Sequence, residues 1–172
     1  MTLPNMRGRW AQGLVPRYFT WVIKERLGAG ERPGGFARNH RKVRRQEELI
    51  WLKVNNFTHI VSLLDSPHNL HAYEEVGLDY AHVPLGTNEE LPMRLRAIYD
   101  VLAKYLGDPA EKLYLHHEEF GDRVIGVLGG YVLDAGIVET GPHAISIVEK
   151  LTGRSLGSEG REIIAATLDM RR

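Results

Sequence analysis

The chain has 172 residues, with acidic and basic side chains balanced at 22 each and with no cysteine. A chain of this length fits a single domain, which buries roughly 70% of the surface that its unfolded chain exposes. The charge balance gives no support for a nucleic-acid partner or a membrane surface, and the missing cysteine excludes disulfides, thiolate zinc sites and a cysteine nucleophile. Because no leader-like apolar stretch and no apolar run of about 18 residues occurs, we expect a soluble cytoplasmic protein.

The first half of the chain alternates strand-like and helix-like segments. Residues 1–19 are expected to form an N-terminal arm and residues 20–172 a single domain. The order TWVIKERL predicts a strand from Thr20 to Leu27, and the glycines and proline from Gly28 to Gly35 predict a turn-rich loop. The later patterns predict a helix over 41–56, a buried strand at 59–64, a short helix at 69–76 and a third strand at 80–85.

The second half continues this alternation and ends in helices. An amphipathic pattern predicts a helix over 92–106, with Pro92 in its first turn and Gly107 after its end. A strand at 112–116, a very apolar helix at 123–133 and two helices near 142–151 and 159–169 follow. Alternating strands and helices predict an α/β fold whose central, mostly parallel sheet is flanked by helices. Ligands bind such folds at the carboxyl ends of strands.

The stretch from His116 to Arg123, HHEEFGDR, occupies one such carboxyl end. It joins a strand to an apolar helix, where unpaired N–H groups and the helix dipole favour a bound anion. Arg123 would add a planar, bidentate donor, so neither a metal nor another cofactor is expected. Three carboxylates in the stretch would repel a phosphate unless they splay outward, and Asp122 could instead cap the helix that follows.

The stretch resembles the His-Cys-x5-Arg loop of the protein tyrosine and dual-specificity phosphatase superfamily. The resemblance extends over residues 20–168: WVIKERLGAGERP resembles the opening strand and turn, THIVSLLD and VGLDYAHVPL resemble two central strands, and HAISIVEKLTG with the last helix resembles the C-terminal helical pair. It implies a dual-specificity-phosphatase-like fold. It also implies a phosphoryl-binding loop, formed by Glu118, Glu119, Phe120, Gly121, Asp122 and Arg123.

Several positions depart from this family pattern. His117 stands where the family has its nucleophilic cysteine, Phe120 where it usually has a glycine and Val124 where a serine or threonine commonly stands. The loop that carries the family's general-acid aspartate reads GTNEE here, which leaves Glu89 or Glu90 as the candidate acid. Only His116 and Arg123 carry over directly.

We therefore expect a divergent phosphoric-ester hydrolase, an atypical phosphatase whose ligand is a phosphorylated small molecule or a phosphoprotein. A neutral imidazole is a competent nucleophile, so His117 could form a phosphohistidine intermediate. A second interpretation is a catalytically inactive pseudophosphatase that binds phospho-ligands. A third is non-phosphatase acid and base chemistry by Glu118, Glu119 or Asp122.

Two further patterns have competing interpretations. His116, His117, Glu118 and Glu119 could be metal ligands if His59 or His82 joined them, but successive strand residues point to opposite sides. A basic cluster of Arg38, His40, Arg41, Lys42, Arg44 and Arg45 could receive an acidic or phosphorylated substrate, or could be the solvated start of a helix. No aromatic residues interleave with these charges, so we expect no nucleic-acid partner.

Overall fold

The computed structural model describes residues 12–67 and 69–171, so most of the predicted N-terminal arm, residues 1–11, lies outside the described part. The strands are β1 Thr20–Ile23, β2 Leu27–Gly30, β3 His59–Ser62, β4 Asp79–His82 and β5 Leu113–His116. The α-helices are α1 Lys42–Val54, α2 Leu70–Glu75, α3 Leu91–Leu106, α4 Asp122–Asp134, α5 Gly141–Thr152 and α6 Ser158–Met170.

The strands form one sheet in the order β1-β2-β5-β3-β4. All neighbours are parallel except β1 and β2, which pair antiparallel at one edge. The prediction of an α/β fold with a central, mostly parallel sheet flanked by helices is therefore confirmed. The carboxyl ends of β2, β5, β3 and β4 meet along one edge of this sheet, and the loop after β5 leaves from its middle.

The prediction of one continuous strand from Thr20 to Leu27 is wrong, because two shorter strands replace it. The expected strand from Thr20 to Leu27 is a hairpin, which turns at Glu25 with a φ of 61° and returns as β2. The glycines of β2 were read as turn residues, but they lie beneath aromatic side chains. A Cβ on Gly28 would stand 2.7 Å from the Phe19 ring, and one on Gly30 would stand 2.6 Å from the Tyr114 hydroxyl. Glycine is required here by close approach and not by a turn.

The two faces of the sheet are covered differently. One face packs aliphatic residues of the strands against α3, α4, α5 and α6 in a large apolar cluster. The other face packs Ile60 and Tyr114 against α1 and α2, and Phe19, Trp21, Trp51 and Phe57 form an aromatic group there. None of the described helices combines the length and the apolar character that crossing a membrane requires.

Helix α4 is held rigidly on the first face, and this fixes where the loop before it ends. Gly126 and Gly160 let α4 and α6 approach so closely that a Cβ on Gly126 would lie 2.6 Å from the Cα of Gly160. Ten of the residues in α4 are buried, as the apolar pattern of this segment predicts.

Candidate phosphoryl-binding site

The loop of residues 117–121 connects the end of β5 to the start of α4. Because β5 lies between β2 and β3, this loop is flanked by the segments that follow both of those strands. Two cavities adjoin it. One, of 280 Å³, is lined by residues of the loop and by Phe36, Arg123 and Glu159, and the other, of 320 Å³, is lined on its far side by Arg32 and Asp65.

His116, which was expected among the catalytic residues, is fully buried behind the loop. Its Nδ1 lies 2.9 Å from the carbonyl oxygen of His117 and must donate to it, so the ring is the Nδ1–H tautomer. Its Nε2 then accepts from the Tyr73 hydroxyl at 3.1 Å. Burial lowers the pKa of His116 to about 4, so the imidazole is neutral at pH 7. His116 holds the loop in place and does not open onto either cavity.

His117 is half-buried and, like Glu118, lines both cavities, so these two residues lie between them. Burial lowers the pKa of its imidazole, and the nearby Arg123 guanidinium lowers it further, against the opposing effect of Asp65 and two glutamates. The ring is therefore neutral at pH 7. A neutral imidazole keeps a lone pair on one nitrogen, which nucleophilic attack requires.

The backbone of the loop directs donors toward one side. Among the described residues, no hydrogen bond is donated by the N–H groups of residues 117–121. The carbonyl of His117 faces the buried His116, and the carbonyl of Phe120 accepts from the Arg154 guanidinium outside the loop. No described peptide bond is cis, so the N–H of Glu118 and of Gly121 point opposite to these carbonyls. The loop thus presents unpaired donors beside the N-terminus of α4.

Arg123 lies in the first turn of α4 and reaches toward the loop that follows β4. Its Nη2 donates to the carbonyl of Gly86 at 2.9 Å and lies 3.5 Å from Oδ1 of Asn88. The N–H of Gly86 donates in turn to Oδ1 of Asp65 at 3.1 Å. Arg123 uses one guanidinium nitrogen in these contacts and lines the first cavity, so its other N–H groups can serve a ligand.

Two of the three loop carboxylates are held by other donors. Oε1 of Glu118 accepts from Arg32 at 3.0 Å and from the N–H of Ala37 at 3.1 Å. Burial alone would raise the pKa of Glu118, but these two donors hold it below its usual range. Asp122 accepts from the N–H groups of Gly157 and Gly160, at 2.6 and 2.8 Å.

Asp122 therefore caps α6 through Gly157, which lies 35 residues further along the chain. The sequence predicted instead that Asp122 would cap α4, the helix that it begins. Glu119 is exposed to solvent and stands beside Gly121, within 3.2 Å of where a Cβ on that glycine would lie. Acid and base chemistry by these residues would need two carboxylates free of other partners. Because Glu118 and Asp122 both accept hydrogen bonds from other parts of the protein, only Glu119 remains.

Phe120 contributes its backbone to the loop, because its side chain is buried in the apolar cluster. Its ring stacks on Tyr18 with centroids 6.3 Å apart, and the Arg154 guanidinium lies 5.5 Å from the Phe120 centroid. The Phe120 ring is therefore part of the apolar packing next to the loop and does not face a ligand.

Glu89 and Glu90, the expected general acids, lie in a short 3-10 turn over Asn88–Glu90. Glu90 stands beside Gly86, but its Oε2 pairs with Arg94 at 2.9 Å, and Glu89 is exposed. Sequence reasoning missed Asp65, which follows β3 and lines the same cavity as His117. Its position at the carboxyl end of a central strand is the signal that could have identified it.

The metal interpretation finds no support in the described residues, which contain no group of three His, Asp or Glu side chains placed to share an ion. Nε2 of His82 lies 2.7 Å from the carbonyl of Leu64, and Nδ1 of His59 lies 2.6 Å from Glu111 at the opposite edge of the sheet. Neither histidine is positioned to join His116 and His117.

The fold matches solved phosphatases. A kinase associated phosphatase, crystallised with its catalytic-site cysteine replaced by serine, is 19% identical with a TM-score of 0.73, over 90% of this chain and 96% of its own. Tk-PTP in its active form is 15% identical with a TM-score of 0.68, over 88% and 97% of the two chains. The catalytic core of a PP-IP phosphatase from S. cerevisiae is 14% identical with a TM-score of 0.63, over 89% and 87%.

No protein-family model and no curated protein matches the sequence significantly. The similarity to the solved structures is therefore one of fold, at identities below one in five. The chain has the α/β fold of the tyrosine and dual-specificity phosphatases, with its 117–123 segment at the carboxyl end of the middle strand of the sheet.

Proposed function

We propose that residues 117–123 bind the phosphoryl group of a phosphorylated small molecule or phosphoprotein. The observation that carries this proposal is the set of loop N–H groups that have no partner among the described residues, next to the N-terminus of α4 and Arg123. Backbone N–H groups in this arrangement bind phosphate without a metal. The resemblance in sequence and the shared fold support the same site.

The acidic residues around the loop do not prevent such binding. Glu118 is neutralised by Arg32 and Asp122 is held by two N–H groups of α6, so both carboxylates are already compensated. Glu119 is exposed to solvent, where its repulsion of an anion is screened. The repulsion that these carboxylates exert on a bound phosphoryl group is therefore small compared with the attraction from the several hydrogen-bond donors of the loop.

Binding of phenyl phosphate, measured by calorimetry, tests this proposal with two substitutions. Arg123→Lys keeps the charge but removes the planar pair of donors, and we expect it to weaken binding about tenfold or more. Arg171→Ala is the control, because it removes one arginine at the other end of α6, about 20 Å away along the helix. Equal affinities for wild type and Arg123→Lys would overturn the proposal.

A second candidate function is hydrolysis of the bound ester through a phosphohistidine. It is favoured by His117, which the resemblance in sequence aligns with the family's cysteine and which is neutral at pH 7 and lines both cavities. An imidazole nitrogen would attack phosphorus, the bond to the leaving oxygen would break, and that oxygen would take a proton from a carboxyl group or water. Water would then release orthophosphate and restore the imidazole.

The identity of the acid separates two versions of this mechanism. By the resemblance in sequence, Glu89 and Glu90 stand in the loop that would carry the family's aspartate, but Glu90 pairs with Arg94 and Glu89 faces solvent. Asp65 shares a cavity with His117 and is the better placed carboxylate. Loss of turnover in Asp65→Asn, with turnover retained in Glu89→Gln and Glu90→Gln, would assign the role to Asp65.

Trapping of the intermediate distinguishes hydrolysis from binding alone. After incubation with phenyl phosphate, mass spectrometry at neutral or alkaline pH should detect a phosphorylated peptide that contains His117, which His117→Ala removes. His143→Ala, at an exposed histidine of α5, is the matched control. Turnover undiminished in His117→Ala would eliminate the mechanism, and binding without any turnover would identify a non-catalytic phospho-ligand module.

A further inference from the structure

Four buried polar atoms have no hydrogen-bond partner within the described part of the chain: Nε of Arg32, Nε2 of His40, Nε of Arg45 and Oγ of Ser62. They lie on the α1 and α2 face of the sheet. His40 and Arg45 both lie against Gly34, where a Cβ would stand 2.7 Å from His40 Nε2 and 2.8 Å from Arg45 Cβ. Since buried donors are almost always paired, a cluster of unpaired ones indicates a binding site or bridging water.

Arg45 differs from Arg32 and Arg44 in having no carboxylate partner among the described residues. Arg44 bridges the buried Glu31 and Glu48, and Arg32 pairs with Glu118. Arg45 instead bonds through Nη1 to the neutral Oδ1 of Asn69 and forms no ion pair with a described residue. Residues 1–11, 68 and 172, which lie outside the described part, contain no Asp or Glu side chain that could supply one. A half-buried guanidinium without an anion is costly, so it favours an external one.

The cavity of 320 Å³ that Arg32 lines shares His117 and Glu118 with the 280 Å³ cavity that Arg123 lines, so these two residues lie between the cavities. Its wall includes Arg32, Ser66 and His117, together with Asp65 and Glu118. Both carboxylates already accept hydrogen bonds, Asp65 from the N–H of Gly86 and Glu118 from Arg32 and Ala37. Arg45 does not line this cavity itself, but its partner Asn69 follows the lining residue Ser66 by three residues, and Gly34, against which Arg45 packs, follows the lining residue Arg32 by two.

We propose that Arg32 and Arg45 bind a second phosphoryl group of the ligand whose first phosphoryl group lies in the 117–123 loop. The ligand class is thus a bisphosphate, with its two phosphoryl groups on either side of His117. This inference rests on the proposed phosphoryl-binding function of the loop and adds the second subsite to it.

Affinity for matched pairs of ligands tests the second subsite. Ethanediol, butanediol and hexanediol bisphosphates are compared with the monophosphates of the same diols, so that each pair differs in one phosphoryl group and the series covers different spans. We expect at least one bisphosphate to bind wild type about tenfold or more tightly than its monophosphate, as a charge-assisted contact predicts. Arg45→Gln should remove that preference and leave monophosphate affinity unchanged.

Two controls accompany this substitution. Lys53→Gln removes a positive charge from α1 eight residues further along, about 12 Å away, and should keep the preference. If Arg45→Gln is too unstable to measure, Arg45→Lys takes its place. It retains the positive charge but loses the guanidinium donors, so it should keep only part of the preference for the bisphosphate. In wild type, both ³¹P resonances of the bound bisphosphate should shift from their position in the free ligand, whereas binding through one phosphoryl group would leave one resonance unshifted; this measurement requires no variant.

The outcomes separate the two proposals. Wild type that binds bisphosphates no more tightly than monophosphates overturns the second subsite, leaves the loop site intact and assigns the buried donors to bridging waters. A preference that survives in Arg45→Gln also overturns it. Failure of wild type to bind any of these phosphates, or binding insensitive to Arg123→Lys, would instead overturn the function proposed for the loop, and the second subsite with it.

Discussion

The two faces of the sheet differ in how they support the loop of residues 117–121. On the face covered by α3 to α6, the packing is apolar and so close that glycines form the contact between α4 and α6. On the face covered by α1 and α2, the carboxylates of Glu31 and Glu48 are buried as well, and the half-buried Arg44 bridges them. The first face fixes the position of α4, and the second sets the charge around the residues that precede it.

Because of this difference, the proposed phosphate site can keep a fixed backbone on one face while the charges on the other face set its pH dependence and affinity. Asp122 connects the loop to the apolar face by capping α6, and Glu118 connects it to the charged face through Arg32. A change on the apolar face should therefore appear first as lost stability. A change on the charged face should appear first in pH dependence and ligand affinity.

The largest effect is expected from a side chain introduced between α4 and α6. Gly126→Val would place its Cβ 2.6 Å from Cα of Gly160, where only backbone could move, so we expect a loss of about 3 kcal/mol or more in the free energy of unfolding. Urea denaturation measures this loss. Gly107→Ala is the control, since its Cβ would lie 3.4 Å from its nearest neighbours, and wild-type-like stability in Gly126→Val would contradict the packing described for this face.

On the other face, His116 should make stability depend on pH. Burial lowers the pKa of His116 from 6.5 to about 4. Between pH 4 and pH 6.5 the unfolded chain therefore binds a proton at this histidine that the folded chain does not bind. Stability is therefore fully present above pH 6.5 and falls as the pH drops toward 4, by about 3 kcal/mol for this depression of the pKa.

His116→Asn isolates this contribution, because its amide can still donate to the His117 carbonyl but does not titrate. Urea denaturation at a series of pH values should show a shallower decline in the variant between pH 6.5 and 4. Parallel curves for wild type and variant would mean that His116 is accessible to protons in the folded state. His40 and His117 also have lowered pKa values, and both proteins retain them.

A smaller loss is expected when the loop is disconnected from α6. Asp122→Ala removes the acceptor for two N–H groups at the start of that helix, and helix caps of this kind contribute about 1–2 kcal/mol. Hydrogen exchange should accelerate at Gly157 and Gly160 more than at the end of α6. Asp169→Ala, near the other end of the same helix, serves as the matched control. Unchanged exchange at the two glycines would contradict the capping role.

Sequence patterns identified most of the fold because its elements depend on local periodicity. The helix at Leu91–Leu106 and the buried helix at Asp122–Asp134 each agree within two residues with the predicted bounds. The position of the loop followed from the alternation of strands and helices, and its resemblance to the phosphatase loop agreed with the fold that the structure shows. These features need no knowledge of distant contacts.

The features that sequence reasoning missed depend on contacts between distant parts of the chain. The partner of Asp122 lies 35 residues away, and the partner of Glu118 lies 86 residues away in a segment that follows an unrecognised strand. Gly28 and Gly30 were assigned to a turn because nothing local indicates the aromatic rings above them. Asp65 lies directly after the strand predicted at 59–64, but nothing in the local sequence shows that it shares a cavity with His117, 52 residues away.

The smallest effect is expected at Arg154, which supports the loop from outside both cavities. Its guanidinium lies 4.6 Å from the Tyr18 centroid and donates to the carbonyl of Phe120, so it helps to direct the N–H of Gly121 the opposite way. Arg154→Ala should lower stability by about 0.5–1 kcal/mol, the usual contribution of an exposed cation–π contact. Because the orientation of the Gly121 N–H is lost as well, phenyl phosphate affinity should fall a few-fold, and Arg154→Lys should restore part of the stability but less of the affinity. A loss of stability with unchanged affinity would show that the apolar face alone holds the loop in its binding geometry.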